Sequence, residues 1–269
     1  MKKIILFATA LFSLNACQEV IEIDLNQTNP QYVIIGNIAD DGKPCSVEIT
    51  KTVNFSEPNN FPKITGAIVT LSDDKGSQEI LSETKSGIYE SKKMLGVVGN
   101  TYTLTVKYDG QTFISTSKMA DATPIFDVKF IEDAFGGPPG TPQDTLPNFR
   151  AIPLHPDAPN VKNYYRYIQT INGVEDKAFL IRNDNLSDGK LNAQPLFSFD
   201  AKINRGNKYQ VKLMNIDEAN YNYLYALLQS SGNGPGGGTT PANPPNNILG
   251  GALGYFSAHS VSVKEVIVK

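Results

Sequence analysis

Hydrophobic and polar residues alternate through most of the chain between residues 31 and 117. Alternation with a period of two is typical of strands that bury one face. The predicted strands are QYVIIGNI, CSVEITK, AIVTLS, QEILSE, IYES, TYTLTVKY and QTFISTS. Turn sequences such as DDGK, DDKG, KSG and YDG separate them. Short strands at this spacing predict an antiparallel β-sandwich over residues 31–120.

The pattern changes after this segment and predicts a second, β-rich domain over residues 121–269. Its predicted strands are IFDVKFIE, NYYRYIQTI, KAFLIR, PLFSFD, KYQVKLMNI and a closing strand at the C-terminus. One helix is predicted near residues 217–230, in DEANYNYLYALLQSS, with Asp217 as N-cap and Glu218 in the first turn. The predicted fold class is therefore mainly β, with two domains and a single helix.

Two further patterns complete the second domain. The apolar face of the helix is predicted from residues at helical spacing, namely Tyr221, Leu224, Tyr225 and Leu228. Segments 136–148 and 232–245 are dense in Gly and Pro, and such composition predicts exposed loops.

The first 16 residues follow a different pattern. Two lysines precede the apolar run IILFATALFSL, which is too short to cross a bilayer and is typical of a signal peptide. Leu14, three residues before Cys17, and Ala16, directly before it, resemble a bacterial lipobox. This resemblance implies that residues 1–16 are removed, that Cys17 becomes diacylated, and that residues 17–30 form a tether. The alternative is an ordinary signal peptide with an incidental cysteine.

A lipid on Cys17 would decide where the protein works. Two acyl chains hold a protein stably at a membrane, whereas one gives only marginal binding. The next residue is Gln18 and not the Asp that resembles an inner-membrane retention signal, which favours the outer membrane. The acidic residues Glu19, Glu22 and Asp24 resemble a surface-export signal of Bacteroidota lipoproteins. We therefore expect an outer-membrane, lipid-anchored protein that faces the cell surface.

Composition narrows the range of partners. The leader takes two of the 24 basic residues, so the mature chain would carry five more acidic than basic side chains. No basic patch is apparent, which argues against nucleic acid as a partner. Cys45 is the only cysteine besides Cys17, which excludes a disulfide within the mature chain and predicts a buried strand residue.

The sequence resembles known proteins in two ways. The run from Gly66 to Gly110 resembles Ig-like or transthyretin-like modules found beside bacterial outer-membrane receptors. The lipobox, the YVIIGNI strand, the IDEANYNYLYALLQ helix and the terminal NNILGGALGYFSAHS, in this order, resemble the DUF4249 lipoproteins of Bacteroidota. This resemblance implies a role beside a TonB-dependent receptor, and it supplies no catalytic residues.

The terminal motif is the best candidate for partner or ligand contact. The candidate residues are Asn247, Gly250, Gly251, Tyr255 and Phe256. Glycine permits close approach of backbone to a partner or to another segment of the same chain. The hypothesis is that this motif and the two Gly/Pro-rich loops form one end of the second domain and meet a partner protein. The alternative is a packed irregular connection that leads into the last strand.

No metal or cofactor site is predicted. His155 and His259 have no Cys or His neighbour at ligand spacing, so each is predicted to be a surface or loop residue. The segment DNLSDGKL at 184–191 resembles part of a calcium loop, but Leu186 and Pro195 occupy positions that need oxygen ligands. A polar turn is predicted there instead.

Catalytic motifs are absent from the sequence as well, since no G-x-S-x-G elbow or P-loop occurs. The tyrosines form two groups, Tyr164, Tyr165 and Tyr167 in the first, and Tyr221, Tyr223 and Tyr225 in the second. They are predicted to pack the helix on the sheet with their hydroxyls at the rim, and a sugar-stacking platform is the alternative.

The expected function is a non-catalytic accessory or ligand-capturing subunit of a TonB-dependent nutrient transporter. The alternatives are a structural adhesin of the cell surface and a hydrolase with an unrecognised site. In the first Gly/Pro-rich loop, Asp144-Thr145-Leu146 resembles the O-glycosylation sequon of Bacteroidota, which makes Thr145 a candidate for modification.

Overall fold

A computed structural model describes residues 29–54, 57–132, 149–198, 201–230 and 243–269. The chain has two compact units, and the larger, formed by residues 31–52 and 61–269, contains every strand and helix named below. In the described part of the smaller unit, the Asn54 amide donates a hydrogen bond of 2.9 Å to Glu57. The predicted mainly β fold with one helix is confirmed within the described residues.

The N-terminal half of the larger unit is a two-sheet sandwich. Its first sheet contains β1 (Tyr32–Ala39), β2 (Ser46–Lys51), β5 (Ser82–Lys85) and β6 (Ile88–Glu90). Its second sheet contains β3 (Ile68–Asp73), β4 (Gln78–Ile80), β7 (Thr101–Tyr108), β8 (Gln111–Lys118) and β16 (Ile248–Leu249). The spatial orders are β5-β6-β2-β1 and β4-β3-β7-β8-β16, with antiparallel neighbours throughout.

Alternation in the strands places the core between these two sheets. Buried and half-buried residues alternate along the whole of β1 and most of β7. The largest fully buried aliphatic side chains of this core are Ile34, Ile38, Ile49, Leu71 and Leu104. Cys45, directly before β2, is also fully buried, as predicted. Burial raises the pKa of its thiol to about 12, so the thiol is protonated and unreactive at neutral pH.

The C-terminal half is built on a second group of strands. A three-stranded antiparallel sheet contains β9 (Asp127–Glu132), β10 (Phe149–Pro156) and β14 (Leu191–Asn192). The remaining strands are β11 (Tyr164–Ile171), β12 (Val174–Glu175), β13 (Leu180–Asn183), β15 (Lys208–Ile216) and β17 (Leu253–Ile267). A second hydrophobic core joins β9 and β10 to β11, β13 and β15.

Strand β17 connects the two halves into one sheet. Its residues 253–259 pair in parallel with β1, and residues 260–267 pair antiparallel with β15. The resulting order is β12-β11-β15-β17-β1-β2-β6-β5, with β13 also paired to β11. The C-terminal motif, which we assigned to the domain 121–269, therefore completes the sandwich predicted over 31–120.

Helix α1 (Glu218–Ser230) begins where the sequence predicts. The Asp217 carboxylate accepts a hydrogen bond of 2.8 Å from the backbone N–H of Asn220, as expected of an N-cap. The buried face differs from the predicted one, because Asn220 and Leu224 are buried whereas Tyr225 is exposed. Asn220 is buried because its amide donates to the carbonyl of Phe256 in β17, at 3.0 Å. None of the described helices is long and apolar enough to cross a membrane.

Candidate functional site

The C-terminal motif is held by contacts within the chain. The Asn247 side chain donates to the Phe256 carbonyl at 2.7 Å and accepts from the Phe256 N–H at 3.0 Å, as a neighbouring strand would. Phe256 has no exposed surface and lies in the core of the sandwich. Its predicted contact with a partner is therefore corrected: the side chain serves packing.

The glycines of this motif differ in what surrounds them. Gly250 has a φ of +104°, and a Cβ there would lie 2.5 Å from the Thr112 carbonyl oxygen. Gly251 also has a positive φ, but open space surrounds its Cβ position. Tyr255 is half-buried, and its ring packs against Tyr223 with 5.1 Å between centroids. Of the five candidate residues, only Phe256 is buried; Gly250 and Gly251 are exposed, and Asn247 and Tyr255 are half-buried.

Two other predicted positions are not part of the described structure. Cys17 and Thr145 lie outside the described residues, as do the Gly/Pro-rich segment 136–148 and residues 232–242 of the second one. Lipid attachment and glycosylation therefore stay predictions.

Both histidines are buried, which corrects their predicted position at the surface or in loops. His155 points inward from β10, a strand that was not predicted from the sequence. Its Nδ1 lies 3.0 Å from the Pro156 carbonyl, which can only accept, so Nδ1 carries the proton. Its Nε2 then accepts from the hydroxyl of Tyr167 at 2.7 Å. Burial lowers the pKa of His155 and keeps the ring neutral.

A polar pocket lies at the end of β10 and β13. It has a volume of about 310 Å³. Its lining residues carry amide, carboxylate, ammonium and aliphatic groups: Asn160, Val161, Lys162, Asp184, Asn185 and Asp188. This lining offers both hydrogen-bond donors and acceptors, so the pocket suits a small polar ligand.

Three carboxylates converge beside this pocket, and two of them, Asp184 and Asp188, line it. Asp157 follows β10, whereas Asp184 and Asp188 belong to the turn after β13, and their ligand atoms lie within 4.8 Å of one another. Asp157 and Asp184 are buried, and Asp188 is exposed. Oxygen ligands in this arrangement could hold a metal ion. Asp184 and Asp188 are recognisable together in DNLSDGKL, whereas Asp157 is distant in sequence and only folding brings it near.

Backbone N–H groups fix each of these carboxylates. Asp184 accepts from the Asn163 N–H at 2.7 Å, and Asp188 accepts from the Asn160 N–H at 2.8 Å. Asp157 accepts from the Gly189 N–H at 3.2 Å and from the Tyr165 hydroxyl at 2.5 Å. These hydrogen bonds join the segment after β10 to the turn after β13 and fix the positions of the three carboxylates.

The tyrosines separate into a buried group and a surface group. Tyr165 and Tyr167 are fully buried. On the helix side, the Tyr164 ring packs on Tyr221 at 5.1 Å, and Tyr221 stacks on Tyr225 at 6.0 Å. Burial and the neighbouring Glu218 carboxylate raise the pKa of Tyr164 to about 12. The rings of Tyr164 and Tyr221 therefore pack α1 against the sheet, as predicted.

The family of the protein follows from comparing its sequence with known proteins. The chain matches the family model "Domain of unknown function (DUF4249)" over residues 18–265. No curated protein matches it. Because this match covers nearly the whole chain, it confirms the family that the sequence predicted. The protein belongs to the DUF4249 family.

Proposed function

We propose that the protein is a lipid-anchored accessory subunit of a TonB-dependent outer-membrane transporter, facing the cell surface. The observation that carries the proposal is the N-terminal sequence, in which an apolar run ends at Leu14-Asn15-Ala16-Cys17. Diacylation of Cys17 would supply a stable anchor without a membrane-spanning helix. The receptor as partner follows from what the family resemblance implies.

The polar pocket supports a ligand-capturing role for this subunit. Its amides and carboxylates can hydrogen-bond polar groups, and backbone N–H groups already hold the carboxylates in place, which limits the entropy lost on binding. The excess of acidic residues in the mature chain favours neutral or cationic ligands over anionic ones.

A hydrolase is the second candidate, and the converging carboxylates favour it. In hydrolysis by paired carboxyl groups, one carboxyl is the proton donor and the other is the base or nucleophile, and histidine is the commonest further acid or base. His155, two residues before Asp157, has both ring nitrogens bonded to Pro156 and Tyr167. The ring therefore has no free nitrogen to offer the pocket, and a binding subunit accounts better for this geometry.

Anchor and partner can be tested together in the native bacterium. Cells that express the wild-type chain or Cys17→Ser are grown with radiolabelled palmitate, and their outer membranes are then solubilised in detergent. We expect label on the wild-type protein alone, and mass spectrometry of its pull-down should identify a TonB-dependent receptor. An unlabelled wild-type protein, or one free in the medium, would contradict the anchor. A labelled protein without a receptor would contradict the partner and favour the adhesin.

A further inference from the structure

The three carboxylates at the pocket lack a basic partner. Asp157 and Asp184 are each only 6 % exposed. Throughout the described residues, no Lys, Arg or His side chain lies within ion-pair distance of Asp157, Asp184 or Asp188. Buried charges in proteins are normally paired or coordinate a metal ion, since an unpaired buried charge is costly. Lys162 lines the pocket but forms no ion pair with the three carboxylates, so a bound cation would supply the opposite charge that the cluster lacks.

A buried hydroxyl gives independent evidence of a ligand there. Ser187 is 4 % exposed, and its Oγ has no hydrogen-bond partner. The backbone N–H groups of Ser187 and Asp188 both donate to the Asp184 carbonyl, at 2.8 and 2.9 Å, which makes this turn helical. Residues three apart share a helical face, so the Ser187 side chain projects on the same face of this turn as Asp184. An unsatisfied buried hydroxyl on this face is explained by an ion that it binds.

We propose that Asp157, Asp184, Ser187 and Asp188 bind a calcium ion. All four offer hard oxygen ligands, which suit Ca²⁺ or Mg²⁺ and not zinc or copper. Oxygens on opposite sides of Ca²⁺, at roughly 2.3–2.6 Å from it, lie about 4.6–5.2 Å apart, whereas around Mg²⁺ the separation is about 4.0–4.2 Å. The ligand atoms of the three carboxylates lie within 4.8 Å of one another, which a Ca²⁺ shell can span, and three carboxylates exceed the one or two that usually hold Mg²⁺. Water in the open pocket would complete the coordination shell.

Calcium binding at this site does not depend on the proposed partner or anchor. The ion would offset two of the three carboxylate charges and join the turn after β13 to the segment after β10. It would also leave coordination positions facing the pocket, where the hydroxyl groups of a polar ligand could replace water.

The test uses the purified full-length protein after treatment with EGTA. Ca²⁺ and Mg²⁺ are titrated separately by calorimetry, and Tb³⁺, a luminescent substitute for Ca²⁺, is excited through tyrosine. The Tyr165 hydroxyl lies 2.5 Å from Asp157, close enough to sensitise a bound Tb³⁺. We expect one Ca²⁺ per chain, Mg²⁺ bound at least tenfold more weakly, a Ca²⁺-dependent rise in the thermal midpoint, and Tb³⁺ luminescence that Ca²⁺ quenches by competition.

Two variants assign the binding to this cluster. Asp188→Asn keeps the acceptor for Asn160 and removes one charge, so it should weaken Ca²⁺ binding at least tenfold. Ser187→Ala removes a ligand without changing charge and should weaken binding severalfold while the Ca²⁺-free protein stays folded by circular dichroism. Asp121→Asn, at an exposed aspartate elsewhere, is the matched control and should bind as wild type does. Absence of saturable Ca²⁺ binding, or unchanged affinity in both cluster variants, would overturn the proposal.

Discussion

The two halves of the larger unit bury different kinds of polar group. In the sandwich, the buried polar side chains are small, and they bond mainly to backbone; Ser91, for example, accepts from the Cys45 N–H and donates to the Met94 carbonyl. In the C-terminal half, larger polar side chains bond to one another. His155 bonds to Tyr167, and Asp157 bonds to Tyr165.

This difference separates a half that is stabilised mainly by apolar packing from a half whose core also depends on hydrogen bonds. Apolar packing tolerates changes of pH, whereas a buried histidine must stay neutral. Networks of buried polar side chains also fix one arrangement of strands, because each unpaired member is costly. The pocket lies at the end of the polar half, where the network holds Asp157 in place.

The largest effect should come from the parallel pairing that closes the sandwich. Gly254 has a φ of +103°, and a Cβ there would lie 2.0 Å from the Ile34 carbonyl oxygen of β1. Gly254→Ala should therefore reduce the free energy of unfolding by more than about 3 kcal/mol in denaturant titrations. Gly251→Ala is the control, because only its backbone conformation is strained, at about 1–2 kcal/mol. Equal losses in the two variants would show that β17 does not pair closely with β1.

The next effect should be a loss of stability at mildly acidic pH. Burial, assisted by the nearby Arg166 and Lys212 charges and opposed by Asp41, lowers the pKa of His259 to about 4. The unfolded chain takes up the proton below pH 6.5, so stability is complete above that pH and falls toward pH 4. Between pH 7 and pH 5, His259 should cost about 2 kcal/mol in the free energy of unfolding.

His259→Gln removes the titrating group and is the matched test of this pH dependence. In denaturant titrations at pH 7, 6 and 5, the free energy of unfolding should depend less steeply on pH in the variant. The pH dependence that remains is expected from His155. The same slope in both proteins would mean that His259 is not a buried neutral ring.

A smaller effect on stability is expected from removing one tyrosine hydroxyl in each half. The Tyr209 hydroxyl donates to Gln169 at 3.0 Å, and both side chains are buried. Tyr209→Phe leaves that amide oxygen unpaired and should cost about 1–2 kcal/mol. Tyr108→Phe in the sandwich, where the ring is half-buried, should change the free energy of unfolding by less than about 0.5 kcal/mol. A larger loss for Tyr108→Phe than for Tyr209→Phe would reverse the comparison of the two halves.

The smallest effect should come from surface charge. Lys208 and Glu265 form an ion pair of 3.0 Å between β15 and β17, with both side chains largely exposed. Lys208→Ala should cost less than about 0.5 kcal/mol, and the difference should shrink in high salt. Lys118→Ala, at an exposed lysine on β8, provides the baseline. A loss above 1 kcal/mol would show that charge contributes more to this half than the buried hydrogen bonds.

Several elements could be predicted because their pattern is local. Strands β1, β7 and β8 and helix α1 agree with the predicted segments within about two residues. The predicted strand QEILSE divides at the buried Leu81, because β4 pairs with β3 in the second sheet whereas β5 pairs with β6 in the first. Strand β10 was missed because Pro153 and Pro156 argue against a strand, yet its inward residues alternate regularly. The predicted strand PLFSFD has no strand structure over its described residues 195–198.

The sequence by itself determined the strands with regular alternation, the start of α1, the burial of Cys45 and the membership of the family. Only the tertiary structure decided that β17 pairs with β1, that Asn247 and Phe256 serve packing, and that Asp157 meets Asp184 and Asp188. The physical reason is the distance along the sequence between the residues that interact. Side-chain periodicity and capping depend on neighbouring residues, whereas the choice of a strand's partner and the convergence of carboxylates depend on residues that only folding brings together.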